Sequence, residues 1–333
     1  MATTHAHHST AEPVIVDGIR TPFLRSNGAY AVFRPHDLGR HAIAGLLAKT
    51  NIDVKEIEQV VMGAVVHDVS TPNVAREAAL GAGLSNRTPC FTTSMACISA
   101  NVAATCIADA IRLGHISGGI AGGTDTSSDP PIRLSRNLRQ ALSRLQKAKG
   151  ATDYWRELRH LSHKDLGPEI PASAEFSTGQ TMGQGSERLA RHFGVPRAQS
   201  DAFAARSHQL AAQAWEQGRF ADEVMTLHIP PRFEPVAKDD GPRGDSTVEK
   251  LAALKPAFDK LFGIVTAGSS SFLTDGGSAV LIMAKDKAES LGYRPKAIFK
   301  DYVYRAGDPL DELLLGPAMT IPDLLARNKL KVS

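Results

Sequence analysis

The segment Thr93–Asn101 reads TSMACISAN and sets a cysteine, Cys97, among small residues just ahead of a helix-prone run, ISANVAATCIADAI. A helix N-terminus presents unsatisfied N–H groups and the positive end of the helix dipole. A thiol held there has its thiolate stabilised, and the thiolate is the nucleophile. Cys97 is therefore the candidate nucleophile, and the competing reading is a small buried core thiol. Cys106 falls inside the same helix on its expected buried face, and Cys90 stands before a short strand. A cysteine nucleophile also needs a base, normally histidine, and donors for a developing oxyanion. Nine histidines lie between His36 and His228, none in a distinctive motif; His208, in ARSHQL, reads as a packing or capping residue. The sequence holds no Gly-x-Ser-x-Gly elbow, P-loop or dinucleotide fingerprint.

The elements that must carry Cys97 follow from hydrophobic period and punctuation. PVIVDGIRTPF reads as a strand and turn, DLGRHAIAGLLAKTN as an amphipathic helix, and IEQVVMGAVV as a strand covered on both faces. NVAREAALGAGL is a helix closed by glycine, CFTTSM a short strand, and SGGIAGGTDTSSDP a strand running into a loop. This alternation argues an α/β fold. From Pro130 to about Thr178 the pattern turns basic and helix-prone, with Trp155 among cations, and reads as an insert. Its two readings are a solvated helical pair and a surface that meets anions or a membrane face. Two helices follow, TGQTMGQGSERLARHFG and SDAFAARSHQLAAQAWEQGRF, the second with Ser200–Asp201 as its expected N-cap. GIVTAGSSSFLTDGGSAVLIMAKDKAESLG reads as the start of a second α/β unit that echoes the first.

Composition narrows the function classes. The 333 residues suit two units of about 150. A net charge of +3, with 42% hydrophobic residues, gives no case for nucleic acid, and no zinc-finger, RNP or basic-zipper pattern occurs. Three cysteines without a CxxC pair argue against a disulfide framework and against a zinc site, so no metal is expected. No apolar run is long enough to span a bilayer. The start, MATTHAHHSTAEP, lacks the apolar core of a secretory signal and the arginines of a mitochondrial one, so the expected location is cytoplasmic.

Taken together, the motifs resemble the thiolase family, most closely the β-subunit type of the trifunctional fatty-acid oxidation complex. They are RTPF (Arg20–Phe23), AREAALGAGL (Ala75–Leu84), MACISAN (Met95–Asn101), AGGTDTSSDPPIRLSR (Ala121–Arg136) and STGQTMGQGSERLA (Ser177–Ala190). LKPAFDK, VTAGSSSFLTDGGSAV and LLLGPAMTIPDLLARNKL follow in the same order, so the resemblance covers nearly the whole chain from Val14. It implies a layered α-β-α-β-α fold with an inserted helical loop domain and an incomplete second half. The implied organisation is a disordered leader (1–12), an N-terminal domain (13–129 and 179–262), a basic insert (130–178) and the start of a C-terminal domain (263–333).

The implied activity is thiolytic cleavage of 3-ketoacyl-CoA by CoA, giving acetyl-CoA and a shortened acyl-CoA through a thioester on Cys97. Coenzyme A is then a substrate, and no cofactor is needed. By position, Met182 lines the pantetheine pocket, Arg243 meets the CoA phosphates, Ala257 and Phe258 flank the adenine side, and Ser271 meets the pantetheine amide. A homodimer or tetramer, a hydratase–dehydrogenase α subunit, and membrane contact through 130–178 are the implied partners. A related condensing enzyme with a sterol-carrier link is a further reading. Two departures stand out. Ser269 replaces the asparagine of the family's AGN or AAN loop, which puts the order of that loop in question. The family's GHP histidine and CxG cysteine do not occur before the sequence stops at Ser333, so the chain reads as C-terminally truncated. The alternative function is a catalytically impaired CoA-binding or structural subunit.

Overall fold

The computed structural model describes residues 11–332; residues 1–10 of the expected leader lie outside them. Two units result: a large one, 11–129 with 174–332, and a small one, Pro130–Ser173. In the large unit the chain runs β1 (Pro13–Arg20), β2 (Leu24–Arg25), α1 (Pro35–Thr50), β3 (Gln59–Gly63), α2 (Val74–Gly81), β4 (Cys90–Thr93), α3 (Ser99–Arg112) and β5 (Gly118–Asp125). The small unit holds β6 (Arg133–Leu134), α4 (Arg136–Leu145), α5 (Ala151–Leu158) and β7 (Pro168–Glu169). The large unit then resumes with α6 (Met182–His192), α7 (Arg197–Glu216), β8 (Leu227–Ile229), β9 (Glu234–Val236) and α8 (Val248–Ala252). It closes with β10 (Thr274–Ala284), α9 (Lys285–Ser290), β11 (Ala297–Ile298) and α10 (Gly316–Arg327).

One mixed sheet, in the order β11-β1-β10-β5-β3-β4, organises the large unit. β3 pairs in parallel with β4 and β5, whereas β10 runs antiparallel between β1 and β5. Successive strand residues face opposite sides of a sheet. Val60 and Met62 accordingly join the core under α1 and α2, with Ile43, Leu46, Ala75 and Ala78, while Val61 joins the core under α3, with Ala103, Ile107 and Ile111. Leu281 and Met283 go to the first core and Ile282 to the second. Both faces are thus covered, which is why these strands read as unbroken apolar runs.

Three expectations are corrected here. The segment expected to open a second α/β unit, from 263 on, instead places β10 in the middle of the first sheet. Its backbone is paired on both edges and its side chains are buried on both faces, so it completes that sheet rather than starting another. In the large unit α1 and α2 cover one face of this sheet and α3 the other. The compact insert ends at Ser173, not 178: Glu175 N–H donates to Gln180 O at 2.9 Å, and Ala174 bridges Thr181, which ties 174–178 to the turn before α6. Finally, α7 begins at Arg197 rather than after Ser200–Asp201. Asp201 is buried inside it and accepts from Arg197 Nε at 2.7 Å, while Arg197 also donates to Leu251 O and Leu254 O at the end of α8.

The small unit is held by polar contacts. Arg144 pairs with Glu157 across α4 and α5, Arg139 with Glu169, and Asn137 Nδ2 donates to Asp165 at 2.7 Å. It carries nine Lys/Arg against four Asp/Glu, and Trp155 is 65% exposed.

Two polar clusters of the large unit yield predictions. Asp275, at the start of β10 and fully buried, accepts from Ser127 N–H at 2.7 Å, from Ser26 Oγ at 3.3 Å, and from Ser128 Oγ. Asp275→Ala strands those donors and is expected to cost about 3 kcal/mol in urea unfolding, with Asp275→Asn costing less. Elsewhere Lys296 Nζ bridges Asp17 at 2.9 Å and Asp222 at 2.6 Å, and Lys49 Nζ reaches Asp17 at 2.9 Å. Burial pushes the Asp17 carboxylate up, but the hydrogen bonds from Lys296 and Lys49 outweigh it, and Asp17 sits below its ordinary range. The same two lysines hold Asp222 low. Depressed carboxylates stabilise the fold above their unfolded pKa and lose that contribution as pH falls through the folded value. Lys296→Met is therefore expected to lower Tm at neutral pH and to flatten the fall of Tm below about pH 4; a scan of Tm against pH checks both.

Candidate active site

Cys97 stands on a sharp turn between β4 and α3. Ala96, immediately before it, has φ +45°, a left-handed conformation that a residue with a Cβ rarely adopts. Ser99 compensates: its Oγ accepts from Met95 N–H at 2.8 Å and donates to Ala96 O at 2.6 Å. Ile98 N–H and Ser99 N–H donate to the carbonyls of Met95 and Ala96, both at 3.2 Å. The first turn of α3 lies directly on the end of β3, because Gly63 has no side chain there; a Cβ on it would stand 2.3 Å from the Ser99 carbonyl carbon. The thiol is exposed as a result, not buried as core. Burial pushes the thiols of Cys90 and Cys106 up, which keeps both protonated.

A cavity of about 340 Å³ opens at Cys97. Its lining includes Phe23, Gly63, Val65, Ser99, Asp125, Thr274 and Gly276 and, among the described residues, no histidine. Asp125, at the end of β5, accepts from Val65 N–H at 3.0 Å and Val66 N–H at 2.7 Å. Burial raises its pKa, and the two amides and His67 offset part of that rise.

A second cavity, of about 290 Å³, shares Phe23 and Thr274 with the first and holds Arg243 and Ser271. Its far wall, Ser207, His208, Ser270 and Ser271, is shared in turn with a larger apolar cavity of about 630 Å³. The RTPF motif builds this region. Arg20 grips Asp239 through two nitrogens, at 2.8 and 3.0 Å, and Asp239 accepts from Phe23 N–H at 2.7 Å. Asp240 accepts from Arg25 N–H at 2.9 Å, so the loop that carries Arg243 is fastened to the turn after β1. Bidentate arginine–carboxylate pairing of this kind fixes geometry as well as adding energy.

The expected site residues fall into groups. Arg243 and Ser271 share one cavity. Phe258 lines another, and its ring lies against Gly183, next to half-exposed Met182 at the start of α6. Ala257 N–H donates to Val265 O at 2.9 Å, a backbone role in the same loop. Glu187, buried, fastens this loop to α6 by accepting from Ile264 N–H and Val265 N–H, both at 2.9 Å. Ser269 leaves the loop ordered: its Oγ accepts from Thr266 N–H at 3.0 Å. His208, expected to pack or cap, instead accepts from Arg243 N–H at 3.3 Å on the wall of the Arg243 cavity. Phe23 and Asp125 were not singled out as cavity residues. Phe23 ends the RTPF motif, and Asp125 is the acidic residue where a glycine-rich strand stops, signals that mark a turn without saying what it faces.

The family model for the thiolase N-terminal domain matches residues 13–286. This chain belongs to the thiolase family. It is 46% identical over 314 residues to the mitochondrial trifunctional enzyme subunit beta of Rattus norvegicus, covering 94% of this chain and 66% of that protein. It is 44% identical to the 3-ketoacyl-CoA thiolase of Serratia proteamaculans, covering 94% of this chain and 72% of that one. The crystal structure of the Bacillus anthracis acetyl-CoA acetyltransferase superposes with a TM-score of 0.84 at 30% identity, over 97% of this chain and 78% of that chain. The chain thus spans about two thirds of the length of the trifunctional relatives. The thiolase assignment fits the β4–α3 turn, where conformation and packing both work to expose one thiol.

That turn yields a direct test. Ser99→Ala removes one acceptor and one donor and is expected to destabilise the thiolase fold by about 1–2 kcal/mol. Cys97 alkylation by iodoacetamide, read by peptide mass, is expected to change several-fold while Cys90 and Cys106 stay slow.

Proposed function

We propose that this chain is an acyl-CoA thiolase that transfers acyl groups from 3-ketoacyl-CoA to CoA through Cys97. The supporting observation is a pair of adjacent cavities: an exposed thiol in one, and a guanidinium and a serine in the next, with Phe23 and Thr274 lining both. An extended thioester with an anionic end fits that layout.

In the first half-reaction the Cys97 thiolate attacks the 3-keto carbon, and the negative charge on the resulting alkoxide is met by the Cys97 backbone N–H. The alkoxide reforms a carbonyl as the C2–C3 bond breaks. That electron pair leaves on C2, which takes a proton to give acetyl-CoA, and the shortened acyl group stays on Sγ. In the second half-reaction the CoA thiolate attacks the thioester carbonyl, Cys97 Sγ leaves, and acyl-CoA forms. One thioester is exchanged for another, so neither half needs an external energy source. Arg243 supplies charge for the CoA phosphates, for which a guanidinium suits better than an ammonium, and Ser271 a hydroxyl for the pantetheine amide. Met182, Ala257 and Phe258 are the remaining contacts of this reading.

The same reading takes the protein as cytoplasmic and as a homodimer or tetramer. The relatives named as trifunctional enzyme subunits support a hydratase–dehydrogenase partner. The charge excess and exposed Trp155 of the insert support contact with an anionic membrane face.

Incubation with acetoacetyl-CoA is expected to add one acetyl group to Cys97 by intact mass, and added CoA to remove it; Cys97→Ala takes up nothing. Arg243→Ala is expected to weaken CoA about tenfold, with the difference shrinking at high salt. A wild-type protein that binds CoA yet never acylates Cys97 overturns the enzyme reading in favour of a CoA-binding subunit.

A further inference from the structure

Asp125 lies in the Cys97 cavity and takes no part in the two half-reactions. The chain leaves β3 at Gly63, and Ala64 N–H still donates to Thr93 O at 3.1 Å. The next two amides turn out of the sheet onto one carboxylate. Val65 N–H is shared between both Asp125 oxygens at 3.0 Å each, and Val66 N–H meets Oδ1 at 2.7 Å. Charge-assisted bonds to successive amides fix a turn firmly, and both carboxylate oxygens are already engaged with it. The side chain delivered to the cavity by this turn is Val65, 44% exposed.

Most of the remaining lining is glycine, alanine, serine or threonine. The two large apolar side chains are Phe23 and Val65. Phe23 is committed elsewhere: it lies against Gly276, under Arg20 at 4.6 Å, and borders the Arg243 cavity as well. Val65 is left as the other large apolar group that bounds the cavity. We propose that Asp125 is a positioning residue that holds Val65 as the acyl-side wall, and that Val65 sets which acyl chains reach Cys97. The proposal rests on the acyl-transfer reading and names the residue that limits acyl bulk within it.

The test compares Val65→Ala, Asp125→Ala, the double variant and Asp125→Asn with wild type. Cys97 acylation by acetyl-CoA and by decanoyl-CoA is followed by peptide mass, and the ratio of the two rates is the readout. A general loss of stability lowers both rates and leaves the ratio alone. Val65→Ala is expected to raise the relative decanoyl rate about tenfold. Asp125→Ala is expected to match it, the double variant to go no further, because the two residues act on one wall, and Asp125→Asn, which keeps an acceptor for both amides, to stay near wild type. An unchanged ratio in Val65→Ala, which tests the wall even where Asp125→Ala is too unstable to purify, overturns the proposal; so do single effects that add in the double variant. A parallel ratio, N-methylmaleimide against N-cyclohexylmaleimide at Cys97, reads the same wall without acyl-CoA. If wild type takes maleimides but no acyl group, the acyl-transfer reading falls, and this proposal with it. If wild type takes acyl groups while both ratios ignore Val65, this proposal alone falls.

Discussion

β10 hydrogen-bonds to β1 along one edge and to β5 along the other, and its first residues, Thr274–Ser278, border the Cys97 cavity and, through Thr274, the Arg243 cavity. Gly276 receives the Phe23 ring, and Thr274, Gly276 and Ser278 line the Cys97 cavity. Asp275, between them, gathers donors from the loop after β5 and from Ser26, just after β2. A strand from late in the sequence thus closes a sheet begun at residue 13. The Cys97 cavity and the Arg20-anchored loop are placed by that closure. Pairing across so large a separation in sequence carries a loop-closure cost that burial on both faces must repay.

Support for Cys97 is distributed over two kinds of interaction. Packing brings α3 onto β3 at Gly63, where backbone meets backbone. Hydrogen bonding then holds Ala96 in a conformation that would relax if left alone, through the single hydroxyl of Ser99. Both act at one place: the first turn of α3 sits against Gly63, and Ser99 Oγ in that same turn bonds Met95 N–H and Ala96 O.

Much of this was legible in the sequence. Strands β1, β3, β4 and β5, the helices α1, α2 and α3, and the place of Cys97 just ahead of a helix followed from apolar period, glycine punctuation and ordered motifs. The position of β10 did not, because an apolar run of its length fits the middle of the first sheet as well as the start of another; pattern gives a strand its faces but not its neighbours. The start of α7 was misplaced for a related reason. Asp201 has the type of an N-cap, but its carboxylate is spent on Arg197 inside the helix. Val65 and Asp125 were missed because they act as a pair separated by a helix, a strand and another helix, and no local signal joins them.

The insert has a consequence for how ligands approach. With nine Lys/Arg and four Asp/Glu inside it, it accounts for more than the whole net charge of +3, so the rest of the chain carries a slight acidic excess. To an incoming polyanion the body that holds Cys97 is weakly repulsive at long range. Screening limits such fields to about 8 Å at physiological salt. Any anion that binds there is consequently held by contact with individual cationic side chains, rather than drawn in by the field of that body.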